Sequence, residues 1–317
     1  MRYGFYLPTR GKTCTPDALS TLARQAEDWG FSSAVIGDHV VFPVTVKSQY
    51  PYTAGGVFPR GGPTMELLSI IAFLAGQTST LRLATSVLIV PQRNPVVTAK
   101  VLATVDVLSK GRLTVGIGVG WLREEFEALG SRDFDRRGTV TDEYLRIFKL
   151  LWTGEPVSFS GNHYSFDEIL CQPQPVQKPH PPIWVGGSSK PALRRAARFG
   201  DGWHPVGANP GVPLRPPEFC QSRDELFRLA EAEGRDPNAI TISYKVPLSD
   251  PALRDYYVKE GERQPFAGSP EQIIDDIATF ARLGVKEFIF DFRGNEIEES
   301  LEKMEQFSSI IGQTADL

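Results

Sequence analysis

Short apolar runs alternate with amphipathic stretches along the whole chain. The runs over residues 3–7, 33–36, 81–89, 113–119, 183–185, 201–204, 241–246 and 286–290 predict β-strands. Between and after them, apolar positions recur at helical spacing over 16–29, 65–77, 95–108, 139–152, 191–199, 222–233, 270–283 and 296–311. The first of these helices opens on Pro16 after Thr15 and stops at Gly30, a proline-in, glycine-out signature that fits both ends.

Eight strands in strict alternation with helices call for a parallel sheet of the α/β class. The count favours a closed (β/α)8 TIM barrel over an open doubly wound sheet, as a single domain over 1–317. Three insertions, after strands 2, 4 and 6, interrupt the rhythm: a Gly/Pro/Tyr-rich stretch at 42–63, a hairpin-like stretch at 156–182 and a Pro-rich stretch at 205–217. The first and third follow strands, so a barrel places them at the C-terminal mouth, where such loops build active sites.

Charge narrows the possible partners. With 34 basic and 38 acidic side chains the net charge is −4, which offers no general attraction for nucleic acid. The longest apolar runs, such as 84–90, are too short to span a bilayer, and the start MRYGFYLPTR has no basic-then-apolar leader, so a cytoplasmic protein is expected. Cys14, Cys171 and Cys220 are odd in number and far apart, which suits reduced thiols and gives no zinc spacing.

Candidate chemistry gathers at the predicted strand ends. Gly116, Gly118 and Gly120 do not make a dinucleotide fingerprint, because Trp121 or Arg123 stands where its last glycine belongs. Small residues there instead let a flat ring or a backbone approach closely. Gly186, Gly187, Ser188 and Ser189 join a strand to a helix and suit an anion, with a plain N-cap as the equal alternative. Asp38 and His39 follow the second strand, where a proton carrier would be useful, although a lone histidine is more often structural. His163, His180 and His204 show no ligand spacing and read as structural or surface residues, and no metal is expected. Tyr50, Tyr52 and Phe58 suggest a lid or a loop anchor, with Trp121 and Trp203 as further pocket candidates. Glu124, Glu125 and Glu127 look like the solvated first turns of a helix.

The block SVLIVPQRNPVVTAKVLATVDVLSKGRLTVGIGVGWLREEFEALG (86–130), the pair Asp38-His39 after SAVIG, the block PPIWVGGSSKPALRRAARFGDGWHP (181–205) and the stretch FAGSPEQIIDDIATFARLGVKEFIFDF together resemble the luciferase-like monooxygenase superfamily over nearly the full chain. The loop Tyr50-Pro51-Tyr52 and the run LREEFEALG are most similar to the branch labelled as using coenzyme F420. The resemblance implies a barrel holding a tricyclic ring at its mouth, backed by a non-prolyl cis peptide that maps onto Ser86-Val87. It also implies a phosphate turn at Gly186, Gly187, Ser188 and Ser189, and a ring-side histidine at His39. Cofactor contacts are accordingly expected at Asp38, Ser86, Val87, Gly118, Gly120 and the turn. One departure is Trp121, which stands where some F420 dehydrogenases carry a catalytic glutamate and argues against a sugar-phosphate dehydrogenase.

The expected activity is hydride transfer between F420 and a small organic substrate. The alternatives are an FMN-dependent two-component monooxygenase served by a separate reductase, and a non-catalytic flavin-binding barrel. The resemblance also implies a homodimer, with the apolar helices 65–77 and 95–108 as the pairing surface.

Overall fold

A computed structural model describes residues 1–52, 55–58, 63–131, 134–207, 212, 214–246, 263, 265–266 and 268–314. Its strands are β1 (Arg2–Tyr6), β2 (Ser33–Ile36), β3 (Arg82–Thr85), β4 (Leu88–Ile89), β5 (Leu113–Gly118), β6 (Val157–Ser160), β7 (Ser165–Ile169), β8 (Ile183–Gly186), β9 (Gly202–His204), β10 (Thr241–Lys245) and β11 (Glu287–Phe290). Hydrogen bonding runs β3–β2–β1–β11–β10–β9–β8–β5, and β3 pairs again with β5, so eight parallel strands close into a barrel. The fold expected from the alternation is therefore present, with β4 added to β5 at the rim and β6–β7 forming the antiparallel hairpin of the second insertion.

The helices are α1 (Pro16–Asp28), α2 (Leu67–Ala75), α3 (Pro95–Leu108), α4 (Arg123–Ala128), α5 (Arg137–Leu151), α6 (Lys190–Phe199), α7 (Pro216–Ala232), α8 (Pro270–Arg282) and α9 (Ile297–Gln313). Their starts are chemically marked. Thr15 accepts from the Ala18 amide at 3.2 Å, Asn94 from the amides of Val96 and Val97, and Ser269 forms a capping box with Gln272, each ahead of a proline in the first turn. The main core lies between strands and helices, where Phe5, Leu83, Val115, Ile183, Trp203, Tyr244 and Phe288 are almost fully buried. Among the described residues no helix is long and apolar enough to cross a membrane.

Period-two alternation decides what faces the barrel axis. Tyr6, Val35, Ala84 and Ile289 form a small interior cluster, while their strand neighbours Phe5, Ala34, Leu83 and Phe288 join the outer core. The sequence predicts one strand over 81–89; the structure breaks it into β3 and β4 at Ser86–Val87, whose peptide is cis. Apolar residues continue through the break, which is why the pattern does not reveal it. Beside it Gly116 packs so tightly on the Thr85 carbonyl that a Cβ would collide with it, so β5 needs glycine there.

Candidate active site

A cavity of about 800 Å³ opens at the C-terminal ends of the strands. Gly118, Gly120 and Gly186 all line it, so the glycine-rich strand ends meet at one rim as expected. Val87 projects between two of them: a Cβ on Gly118 or on Gly186 would strike its methyl groups. The two glycines thus let the bulge at Ser86–Val87 sit in the wall, where Val87 is half-buried and presents an apolar face to the cavity.

Beneath this platform runs a hydrogen-bonded chain. The His204 Nδ1 lies 3.1 Å from the Ser243 carbonyl, which only accepts, so Nδ1 carries the proton and Nε2 accepts from Ser86 Oγ at 2.9 Å. The Tyr6 hydroxyl, 2.9 Å from the same Oγ and 3.1 Å from the Ser86 carbonyl, then donates into Ser86. Burial pushes the His204 imidazole down to about 4 and holds it neutral. His204 is thus neither a surface group nor merely core, since it fixes the Ser86 side of the cavity floor.

At the turn after β8, Gly187 takes φ +92°, and Ser189 accepts from the Ala192 amide at 3.4 Å as N-cap of α6. Ser188 and Ser189 both line the cavity, so the residue that caps α6 also borders the open space. Arg137 and Arg195 line the same end, steadied by the carbonyls of Gly120 and Gly138 at 3.1 and 3.0 Å. Neither arginine was singled out in the sequence: Arg137 lies on α5, far from the turn in the chain, and Arg195 follows the turn by six residues on α6 inside the basic run RR, which reads as a solvated helix face.

Trp203, expected in the pocket, is not among the lining residues. It is one position out of parity with His204, so its ring points into the helix layer and stacks on Phe219 at 5.5 Å. Its indole N–H nevertheless donates to the Gly187 carbonyl at 2.8 Å and pins the turn from behind. Asp38 borders the cavity, with its side chain turned to a structural task. Its carboxylate is fully buried, held by the Arg93 guanidinium at 2.7 and 2.8 Å and by the Ile89 amide at 2.8 Å, so the side chain fastens loop to loop.

The expected solvated glutamates are the larger surprise. Glu125 on α4 is 1% exposed, and its carboxylate takes the Val40 amide at 2.7 Å and His39 Nδ1 at 3.1 Å. Burial would raise this carboxyl, but the bonds from His39, Val40 and Gln92 hold it below its ordinary value, so it stays ionised. An ionised carboxylate only accepts, so His39 Nδ1 carries the proton of this bond. Glu124 is likewise engaged, accepting from Lys47 and Ser48 of the first insertion. Consecutive charges look like a solvated face in sequence; here they bolt the loop that carries His39.

His39 sits in an aromatic box, with ring centroids 4.4 Å from Phe42, 5.1 Å from Phe58 and 6.3 Å from Trp121. Tyr50 lies 5.0 Å from Trp121 and 5.4 Å from Tyr52, so Tyr50, Tyr52, Phe58 and Trp121 all come together over the cavity. Parts of the first and third insertions, at 53–54, 59–62, 208–211 and 213, lie outside the described residues. Across the barrel, Arg10, Lys245 and Arg293 line the wall at the ends of β1, β10 and β11. None was singled out in the sequence, although a lysine ending the apolar run TISYK is a signal that could have found one of them.

The description "luciferase-like monooxygenase" belongs to the family whose sequence model matches residues 1–250. A protein of Mycobacterium tuberculosis named only as uncharacterized is 32% identical over 296 residues, which cover 90% of this chain and 98% of that one. An FMNH2-dependent dimethylsulfone monooxygenase of Pseudomonas putida is 34% identical over 191 residues, 59% of this chain and 48% of that one. Among solved structures, an F420-dependent secondary alcohol dehydrogenase holding an F420–acetone adduct superposes with a TM-score of 0.76 at 18% identity, covering 99% of both chains.

Proposed function

The chain belongs to the luciferase-like monooxygenase family, and on that premise we propose that it is an oxidoreductase whose cavity holds coenzyme F420 for hydride transfer to or from a small organic substrate. The residues present suit such a cofactor. Val87 gives the ring an apolar backing, and Gly118 and Gly186 keep the wall flat around it. The turn at Gly186–Ser189, the start of α6, Arg137 and Arg195 suit a phosphate, and the cavity volume falls within the ~300–1,000 Å³ usual for small-molecule sites. When bound, the deazaflavin supplies the carbon that donates or accepts hydride.

The protein's own part is to orient, to exclude water and to move one proton. His39 is the proton carrier, and the observation that carries this reading is its bond to buried, ionised Glu125 at the cavity mouth. In the reducing direction the substrate carbon gains a hydride with its electron pair, while the substrate oxygen takes a proton from His39. In the oxidising direction both flows reverse. Glu125 holds the imidazole in place through Nδ1 in either case, and Phe42, Tyr50, Phe58 and Trp121 keep water from the reacting face. Replacing His39 with alanine should lower turnover of a demonstrated substrate about 10²- to 10⁴-fold while leaving cofactor affinity within a few-fold. Wild-type turnover in that variant would remove His39 from the mechanism.

A second reading, an FMN-dependent monooxygenase fed by a separate reductase, is supported by the likeness to the Pseudomonas putida enzyme. A barrel that only stores flavin would suit a mouth plugged by Trp121, Trp203 or Tyr52; among the described residues Tyr52 and Trp121 border the cavity and Trp203 lies outside its lining, which supports the enzyme reading.

A further inference from the structure

We infer that the aromatic box around His39 is the substrate's own subsite, and that the substrate is a ketone or its alcohol whose oxygen-bearing carbon is joined directly to a flat apolar body. The inference rests on the oxidoreductase reading and names the substrate class of that site. Phe58 is the hub of the box: its ring centroid lies 5.7 Å from that of Phe42, 4.8 Å from Tyr50 and 5.3 Å from Trp121. The His39 ring stands among them, 4.4 Å from Phe42 and 5.1 Å from Phe58. A proton carrier set among ring faces serves an oxygen whose neighbouring atoms rest on those faces. The carbon bearing that oxygen and the flat body are therefore adjacent.

A second aromatic cluster in the same barrel shows what this one lacks. Tyr244, Phe266, Phe280, Phe288 and Phe290 pack with ring centroids 4.7 to 6.4 Å apart, and none is more than 8% exposed. At the mouth, Phe42, Tyr50, Tyr52, Phe58 and Trp121 meet at similar distances but stay only half-buried, and all five line the cavity. Their exposure is not that of a loop lifted off the barrel. Glu125 accepts from the amides of Val40 and Val41 at 2.7 and 3.2 Å, and Glu124 from those of Lys47 and Ser48 at 2.6 and 3.0 Å, so the segment carrying Phe42 is held on both sides. Rings fixed with a face uncovered form a preorganised apolar surface, and a ligand with an apolar body completes its burial. Topology sets this surface beside the cofactor's place. Strands β2, β3 and β5 pair in that order and lead to His39 and Phe42, to Val87 and to Trp121, so the box and Val87 share one side of the mouth. In the reducing direction the carbonyl carbon takes the hydride of a reduced deazaflavin with its electron pair, and the carbonyl oxygen takes the proton from His39; oxidation of the alcohol reverses both.

The test uses the full chain and two uncharged probes, acetophenone and acetone, which share the carbonyl and differ in the flat apolar body. Calorimetric titration with and without saturating oxidised F420 is expected to show acetophenone bound at least tenfold more tightly than acetone in both cases, as its larger apolar area requires. Phe42→Ala and Trp121→Ala should each cut that preference at least threefold, and Trp121→Phe, which keeps a ring in place, should retain it. Circular dichroism checks the fold of each variant, and Phe42→Leu, expected to cut the preference at least twofold, repeats the measurement with most of the apolar volume kept. Equal affinity for the two probes, no saturable binding of acetophenone, displacement of acetophenone by F420, or an unchanged preference in the folded variants overturns the inference. Fluorescence titration with F420 and FMN on the same preparations keeps the readings apart: cofactor bound without probe preference defeats the substrate class alone, and probe preference without binding of either cofactor defeats the oxidoreductase reading alone.

Discussion

His204 and Glu125 are both buried ionisable groups, and burial disfavours the charged form of each, yet the outcomes differ because their partners differ. Glu125 has hydrogen-bond donors around it and stays charged, whereas His204 has a carbonyl and a serine and stays neutral. A histidine whose folded value is about 4 against 6.5 in the unfolded chain binds its proton later in the fold than out of it. Between those values the unfolded state holds more protons, so stability is fully present above pH 6.5 and is lost as pH falls toward 4. The full loss from this residue between about pH 6.5 and about pH 4 is on the order of 3 kcal/mol. Urea unfolding at pH 7 and pH 4.5 should show it, and His204→Asn should flatten that part of the slope; an equally steep slope in the variant would assign the acid sensitivity elsewhere.

Elements place these residues, and the turn between β8 and α6 is the clearest case. Ser189 caps α6, so Ser189→Ala should cost about 1 kcal/mol of stability, whereas Ser188→Ala should cost little. If both hydroxyls also meet a phosphate, the double variant loses about 1.5 to 3 kcal/mol of cofactor binding per bond. Cofactor affinity unchanged in the double variant would reduce the turn to a helix cap. The strand and helix order, this turn and the cis position at Ser86–Val87 were legible in the sequence because each has a local signature or a family motif. Trp203 was misplaced because β9 is buried on both faces, so hydrophobicity cannot tell its parity from that of His204. The role of Glu125 was hidden for another reason. Its partner His39 lies far away in the chain and arrives only when the barrel closes.

At the scale of the molecule, the barrel puts one charged end of the cavity under β8 and another under β1, with His39 and the aromatic lid between. Outside it, Phe73 on α2 and Val97, Val107 and Leu108 on α3 stay well exposed. We propose that a second copy covers this face in a homodimer, as the two apolar helices suggest; light scattering at micromolar concentration should return twice the 35.1 kDa chain mass, and a monomer would refute the pairing. The central claim is that the cavity is a deazaflavin site. Titrating the purified chain separately with F420 and with FMN, and following cofactor fluorescence, tests it most directly. Saturable binding of F420 at micromolar concentration, at least tenfold tighter than FMN and weakened by Ser188→Ala with Ser189→Ala, is the predicted result. Tighter binding of FMN would contradict the deazaflavin assignment in favour of the monooxygenase reading, and binding of neither would contradict the account of the cavity itself.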